Sequence, residues 1–129
     1  MPVVSQYIAT VIDCPDPRRL AGFYQALTGW VVTFENDDEV VAIGPAGAGF
    51  PDISFQRVDD YTPPQWPGPG VPQQFHLDFF TDDDLDTAQA AAQVLGATPA
   101  EHQAQPDRWR VMLDPVGHPF CLCRTPDEE

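Results

Sequence analysis

A constant offset of 67 positions maps the first half of this 129-residue chain onto the second. The shift pairs Asp16 with Asp83, Gly29 with Gly96, Ser54 with Cys121 and Arg57 with Arg124, and it sets Ala9 against His76. Each copy opens on an apolar segment, 7–13 or 75–80, and runs into an acidic helix start. A helix-like stretch follows and ends on Leu-Thr-Gly or Val-Leu-Gly; each copy then closes on a β-like run, 53–58 or 120–124. Few residues are identical between the copies. What repeats is the spacing of helix start, stop glycine and closing strand. Such doubling predicts one α+β domain over residues 1–129, built from two βαβββ modules about a pseudo-two-fold axis. Module one covers about 5–60, a linker 62–73 and module two about 74–125. An axis of this kind creates a cleft, and the cleft is where a site would lie.

Local signals support the repeat. Residues 5–13 are mostly β-branched and aromatic, and Cys14-Pro15-Asp16-Pro17 breaks that strand. Asp16 is the expected N-cap with Pro17 at the first helical position. Leu20, Phe23, Tyr24 and Leu27 recur at helical spacing, and Gly29 is the expected left-handed cap. Two β-rich runs, 30–35 and 39–44, flank the turn residues Asn36-Asp37-Asp38. In the next strand, Ser54 and Gln56 share one face and Ile53 and Phe55 the other. The linker holds five prolines and two glycines, so it can be neither a helix nor a central strand. In the second copy, Asp82–Asp84 should cap a helix with a buried stripe of Leu85, Ala88, Ala92 and Leu95, stopped by Gly96. Strands at 109–113 and 120–123 are joined by the turn Asp114-Pro115-Val116-Gly117.

Charge narrows the partners. Twenty acidic residues stand against six basic ones, a net charge of −14. That field repels phosphate backbones and anionic membranes, so neither nucleic acid nor membrane is an expected partner, and a neutral or cationic ligand is favoured. No apolar run approaches the length of a membrane span and no basic-then-apolar leader opens the chain, which points to a cytoplasmic protein. Cys14, Cys121 and Cys123 are an odd number without a secretion signal, so they read as reduced thiols. Cys121 and Cys123, two apart, should face the same side.

Phe23-Tyr24 ahead of a stop glycine, His76-Leu77-Asp78 on a strand, and Asp114-Pro115-Val116-Gly117-His118-Pro119-Phe120 opening the last strand together resemble the vicinal oxygen chelate superfamily. This is the glyoxalase, bleomycin-resistance and extradiol-dioxygenase group, and the chain is most similar to its short glyoxalase-like members. The resemblance implies curled mixed sheets that form an open funnel, with a small ligand bound inside. It also implies four metal-ligand positions, which fall here on Ala9, Ser54, His76 and Cys121. Only His76 is a typical ligand there, and Ala9 has no donor atom. The metal site therefore reads as degenerate and no cofactor is expected. The weak metal candidates are His76, Gln56 and Cys121.

The expected ligand-binding residues are Ser54, Gln56, His76, Asp78 and Cys121, with Ser54, His76, Asp78 and Cys121 lining one cavity. His76 is the candidate catalytic residue, because an imidazole titrates near neutral pH and can act as a general base. Asp78 would hold its tautomer or bind a cationic group; alternatively the two form a pair that satisfies its own hydrogen bonds. His118 fits a turn-stabilising role and His102 an exposed one. Trp30, Trp66 and Trp109 could stack on a flat ligand, with packing expected for at least two of them. The leading expectation is a small-molecule-binding protein that forms a homodimer. The alternative is a metal-dependent lyase, isomerase or dioxygenase with an altered ligand set including His76. A conventional glutathione-dependent glyoxalase is not expected.

Overall fold

The computed structural model describes residues 7–49, 51–66, 70–72 and 76–124. The chain divides into two compact units, Met1–Tyr61 and Thr62–Glu129. The first unit runs β1 (Ala9–Cys14), α1 (Pro17–Thr28), β2 (Val31–Asn36), β3 (Val40–Gly44) and β4 (Asp52–Arg57). The second runs β5 (Leu77–Thr81), α2 (Leu85–Val94), β6 (Thr98–Pro99), β7 (Trp109–Leu113) and β8 (Pro119–Arg124). Each unit is a four-stranded mixed sheet with one helix, in the equivalent orders β1-β4-β3-β2 and β5-β8-β7-β6. The outer pairs β1–β4 and β5–β8 are parallel and the remaining pairs antiparallel. The 67-residue offset holds in the register itself, because it carries Thr10 opposite Ile53 onto Leu77 opposite Phe120.

The first helix forms where its local chemistry dictates. Asp16 has extended backbone and accepts from the Arg19 amide at 3.3 Å, and Pro17 follows in the first turn. Gly29 ends the helix at φ 77°, a conformation that a Cβ disfavours. The stripe Leu20, Phe23 and Tyr24 is buried against β3 and β4, where Tyr24 stacks on Phe55 with ring centroids 5.4 Å apart. Burying each such side chain contributes about 1.5–3 kcal/mol. Arg18 clamps the helix to the β2–β3 turn, reaching Glu35 at 3.0 Å, Asp38 at 3.1 Å and the Asp37 carbonyl at 2.9 Å. Its guanidinium is held above its ordinary pKa by the Asp38 hydrogen bond first and Glu35 next.

In the second unit, Asp84 caps α2 by accepting from the Thr87 amide at 2.8 Å. The apolar face of β7 and β8, with Met112, Phe120 and Leu122 buried, packs under this helix. Arg110 repeats the clamp of Arg18, bonding Asp86 at 2.9 Å and Gln89 at 2.9 Å on α2. The Asp114 turn is built as expected. Its buried carboxylate accepts from the amides of Val116 at 2.9 Å and His118 at 3.0 Å, which gives the His118 backbone a turn-stabilising part.

Several expectations are corrected. Within the expected Asp82–Asp84, the N-cap of α2 is Asp84, one past the repeat-equivalent Asp83, because the connection from β5 is one residue longer. Leu95 is exposed instead of completing the buried stripe: α2 ends at Val94, so Leu95 no longer lies on the helical face. The short strand β6, paired with β7, is the strand that the βαβββ unit calls for after α2, and the residue pattern did not locate it. His76 precedes β5 instead of lying within it. The ladder opens at Leu77 opposite Phe120, and continuing it to His76 would require Pro119, which has no N–H to donate. In the linker, Gln65 bridges to Pro72, so its described part folds back on itself. Phe75 and residues 5 and 6 lie outside the described residues. Among the described residues, no helix is long and apolar enough to cross a membrane.

Candidate functional site

The period of two along a strand builds the site. On β5 and β8, Asp78 and Cys121 stand opposite each other in parallel register, and Val111 of β7 lies opposite Cys121 on its other side. Stepping two residues at a time on the same face adds His76 before Asp78, Pro119 and Cys123 around Cys121, and Trp109 beside Val111. All of these side chains line one cavity of about 380 Å³ in the second unit. Trp66 and Ala104 complete it from loops. Small-molecule sites typically enclose about 300–1,000 Å³ and are mainly apolar with a few polar groups, and this cavity fits that description. Its floor belongs to a small cluster of Ala100, Val111 and Cys121, against which Trp109, Leu113 and Cys123 pack.

The polar groups gather at one edge. His76 Nε2 lies 3.2 Å from Asp78 Oδ1, with both side chains substantially exposed. Burial pushes the Cys121 thiol up to about 12, and the neighbouring Asp78 carboxylate and Cys123 add to the rise. Cys121 therefore stays a thiol at neutral pH and is a poor nucleophile. Burial and then Asp78 raise Cys123 as well. Cys14, Cys121 and Cys123 are all thiols, not disulfides.

Of the expected site residues, the fold brings His76, Asp78 and Cys121 together. Ser54 and Gln56 lie on β4 of the first unit, where Ser54 is half-buried between Val11 and Ala42 in register. The Gln56 amide donates to Asp13 at 3.2 Å. Sequence reasoning missed Val111, Pro119 and Cys123 as cavity residues. Alternation on β7 and β8 was the signal that could have found them. Two tryptophans, Trp66 and Trp109, line the cavity, where packing had been the expectation for at least two of the three. The Trp66 ring also meets exposed His102 edge-on at 5.9 Å.

The four-position metal set implied by the resemblance does not fit these residues. Ala9 carries only a methyl group, and the register neighbours of Ser54 offer no donor atoms. A different set does converge: the donor atoms of His76, Asp78 and Cys121 all lie within 4.8 Å of one another.

A family model described as a glyoxalase-like domain matches residues 9–123. No curated protein matches the chain. Among solved structures, one is a glyoxalase/bleomycin resistance protein/dioxygenase family enzyme from Burkholderia phytofirmans PsJN. It is 19% identical, with a TM-score of 0.67 over 90% of this chain and 95% of its own. A glyoxalase-related enzyme from Fulvimarina pelagi is 17% identical with a TM-score of 0.68, covering 95% of this chain and 90% of its own. The fosfomycin resistance protein FosX from Mesorhizobium loti is 15% identical with a TM-score of 0.62, covering 95% and 92%. At these identities the likeness is one of fold.

Proposed function

The chain belongs to the glyoxalase-like domain family of the vicinal oxygen chelate superfamily, and on that premise we propose that it binds a small organic ligand in the cavity of its second unit. The observation that carries this reading is the cavity itself: about 380 Å³, walled by Trp66 and Trp109, with His76 and Asp78 at one edge. Indole faces favour a flat or cationic partner through stacking and the ring quadrupole. The Asp78 carboxylate and the net charge of −14 disfavour an anion. His76 would orient a polar group of the ligand through its imidazole nitrogens.

Tryptophan fluorescence tests the reading with berberine as a flat cation, indole as a neutral ring and anilinonaphthalene sulfonate as an anion. Saturable quenching by berberine or indole, weakened at least fivefold in Trp109→Leu, is the expected result. Tighter binding of the sulfonate, or quenching unchanged in both Trp109→Leu and His76→Ala, would sink the proposal.

A second reading has an observation in its favour. The convergence of His76, Asp78 and Cys121 supports a metal-dependent lyase, isomerase or dioxygenase with an altered ligand set. A metal bound there would act as a Lewis acid toward oxygen atoms of a substrate.

A further inference from the structure

We infer that Gln103 is a positioning residue: its side-chain amide stands in for a missing strand peptide and fixes one wall of the second unit's cavity. That this wall receives a ligand rests on the ligand-binding reading above; that Gln103 holds it does not. The strand β6 has only two residues, and the last backbone rung beside it is the Ala100 amide donating to the Val111 carbonyl at 2.9 Å. Beyond that rung the chain leaves the sheet, and the N–H of buried Val111 faces an edge with no strand on it. Gln103 fills the place. Its Oε1 accepts from the Val111 N–H at 2.9 Å, and its Nε2 donates to the carbonyls of Val111 at 2.8 Å and Ala100 at 2.9 Å. Both amide protons are used, and this orientation alone sets donors against carbonyls and the oxygen against an N–H.

These bonds matter because of what flanks Gln103. Ala104 lines the cavity, and the His102 ring meets Trp66, another wall residue, edge-on at 5.9 Å. Val111, which receives the clip, is itself in the wall beside Cys121. The far end of the same loop is tied separately. There the Gln105 carbonyl accepts from the Trp109 amide at 3.1 Å, and the Pro106 carbonyl from the Arg110 guanidinium at 2.7 Å. Ala104 is thus held between a side-chain tie on one side and a backbone tie on the other. Removing the Gln103 amide releases the stretch between Ala100 and Gln105. It also strands the Val111 N–H, and a buried donor left unpaired carries its full desolvation cost. With the clip in place, a side chain larger than the Ala104 methyl cannot swing aside and must take space from the ligand.

Amide hydrogen exchange on the full-length chain tests the clip without any ligand. The Val111 amide should exchange at least tenfold faster in Gln103→Ala than in the wild type. The Met112 amide, which strand alternation points toward β8, should change less than twofold, so a general loosening of the sheet is recognisable. Gln103→Asn carries the same amide one methylene short of its partners. It should behave like Gln103→Ala, and it keeps the test open should that variant fail to fold. Val111 equally protected in the wild type and in Gln103→Asn, or Met112 released as much as Val111, would overturn the inference. Quenching by berberine or indole then tests the wall. Ala104→Leu should weaken binding at least fivefold in the wild-type background but less than twofold in Gln103→Asn, where the loop can move aside. Equal losses in the two backgrounds would also overturn the inference. Absence of binding to the wild type, with Val111 protected only while Gln103 is present, would instead end the ligand reading and uphold the clip.

Discussion

Asp52 and Gly44 form a contact whose consequences rest on single atoms. Asp52 is 7% exposed; its Oδ2 accepts from Thr33 at 2.8 Å, while its Oδ1 lies against Gly44 without a hydrogen-bond partner. A Cβ added at Gly44 would meet that Oδ1 at 2.5 Å. Gly44→Ala must therefore displace a buried carboxylate, or the strand that carries it, and overpacking of this sort costs roughly 1–3 kcal/mol. The urea midpoint should fall accordingly, and an unchanged midpoint would mean that the carboxylate turns aside freely. Nothing in the residue pattern announced this contact, because an aspartate at a strand start reads as a turn residue until its burial is known. At the cavity, by contrast, the resemblance marked His76 and Cys121, strand spacing added Asp78, and all three were expected to share a cavity with Ser54.

At the scale of elements, the helix starts were the most legible features, since capping is chemistry between neighbours in sequence. Asp84 adds a pH dependence to that capping. The Thr87 amide, followed by the Thr87 hydroxyl, holds its carboxyl below the ordinary aspartate value. A carboxyl depressed in the folded state stabilises it above the unfolded value, about pH 4, and that stabilisation is lost as pH falls through the folded value. Asp84→Asn keeps a capping oxygen but not the charge. Its thermal midpoint should lie below that of the wild type at pH 7, and the gap should close below about pH 4. A gap that widened on acidification would contradict the assignment. Elements that depend on partners elsewhere were harder to read. The two residues of β6 carry no pattern of their own and are a strand only because β7 pairs with them. The strand β5 starts only at Leu77, past His76, because its partner at the step before is a proline.

For the whole molecule, two expectations follow from the family and the sheets. Isomerisation of a glutathione hemithioacetal needs a metal and a free carboxylate base beside it. Here Ala9, Ser54 and Cys121 stand at implied ligand positions, and the Asp78 carboxylate lies against His76. No methylglyoxal–glutathione turnover above background is expected with zinc, nickel or cobalt, and robust metal-dependent turnover would refute this. Association is the second expectation. Each sheet has two edge strands, and on β2 Val31, Val32 and Phe34 are exposed. Closed two-fold dimers are the common way to cover such edges, so we propose a homodimer. Light scattering at tens of micromolar should give twice the chain mass; a monomer mass would end the proposal.

The division between sequence and tertiary structure follows the range of the interactions. Asp16, Pro17, Gly29 and the Asp114 turn satisfy backbone groups a few residues away, so sequence alone determined them, and the 67-residue offset determined that the unit is written twice. The cavity needs Asp78 beside Cys121 and Val111 although it lies far from both in the chain, and the β5–β8 and β8–β7 registers bring them together. Register is set by the packing of a sheet's two faces and by where proline interrupts a ladder. A run of residues carries no record of its partner strand, so the places of Val111, Pro119 and Cys123 in the cavity wall were decided by the fold.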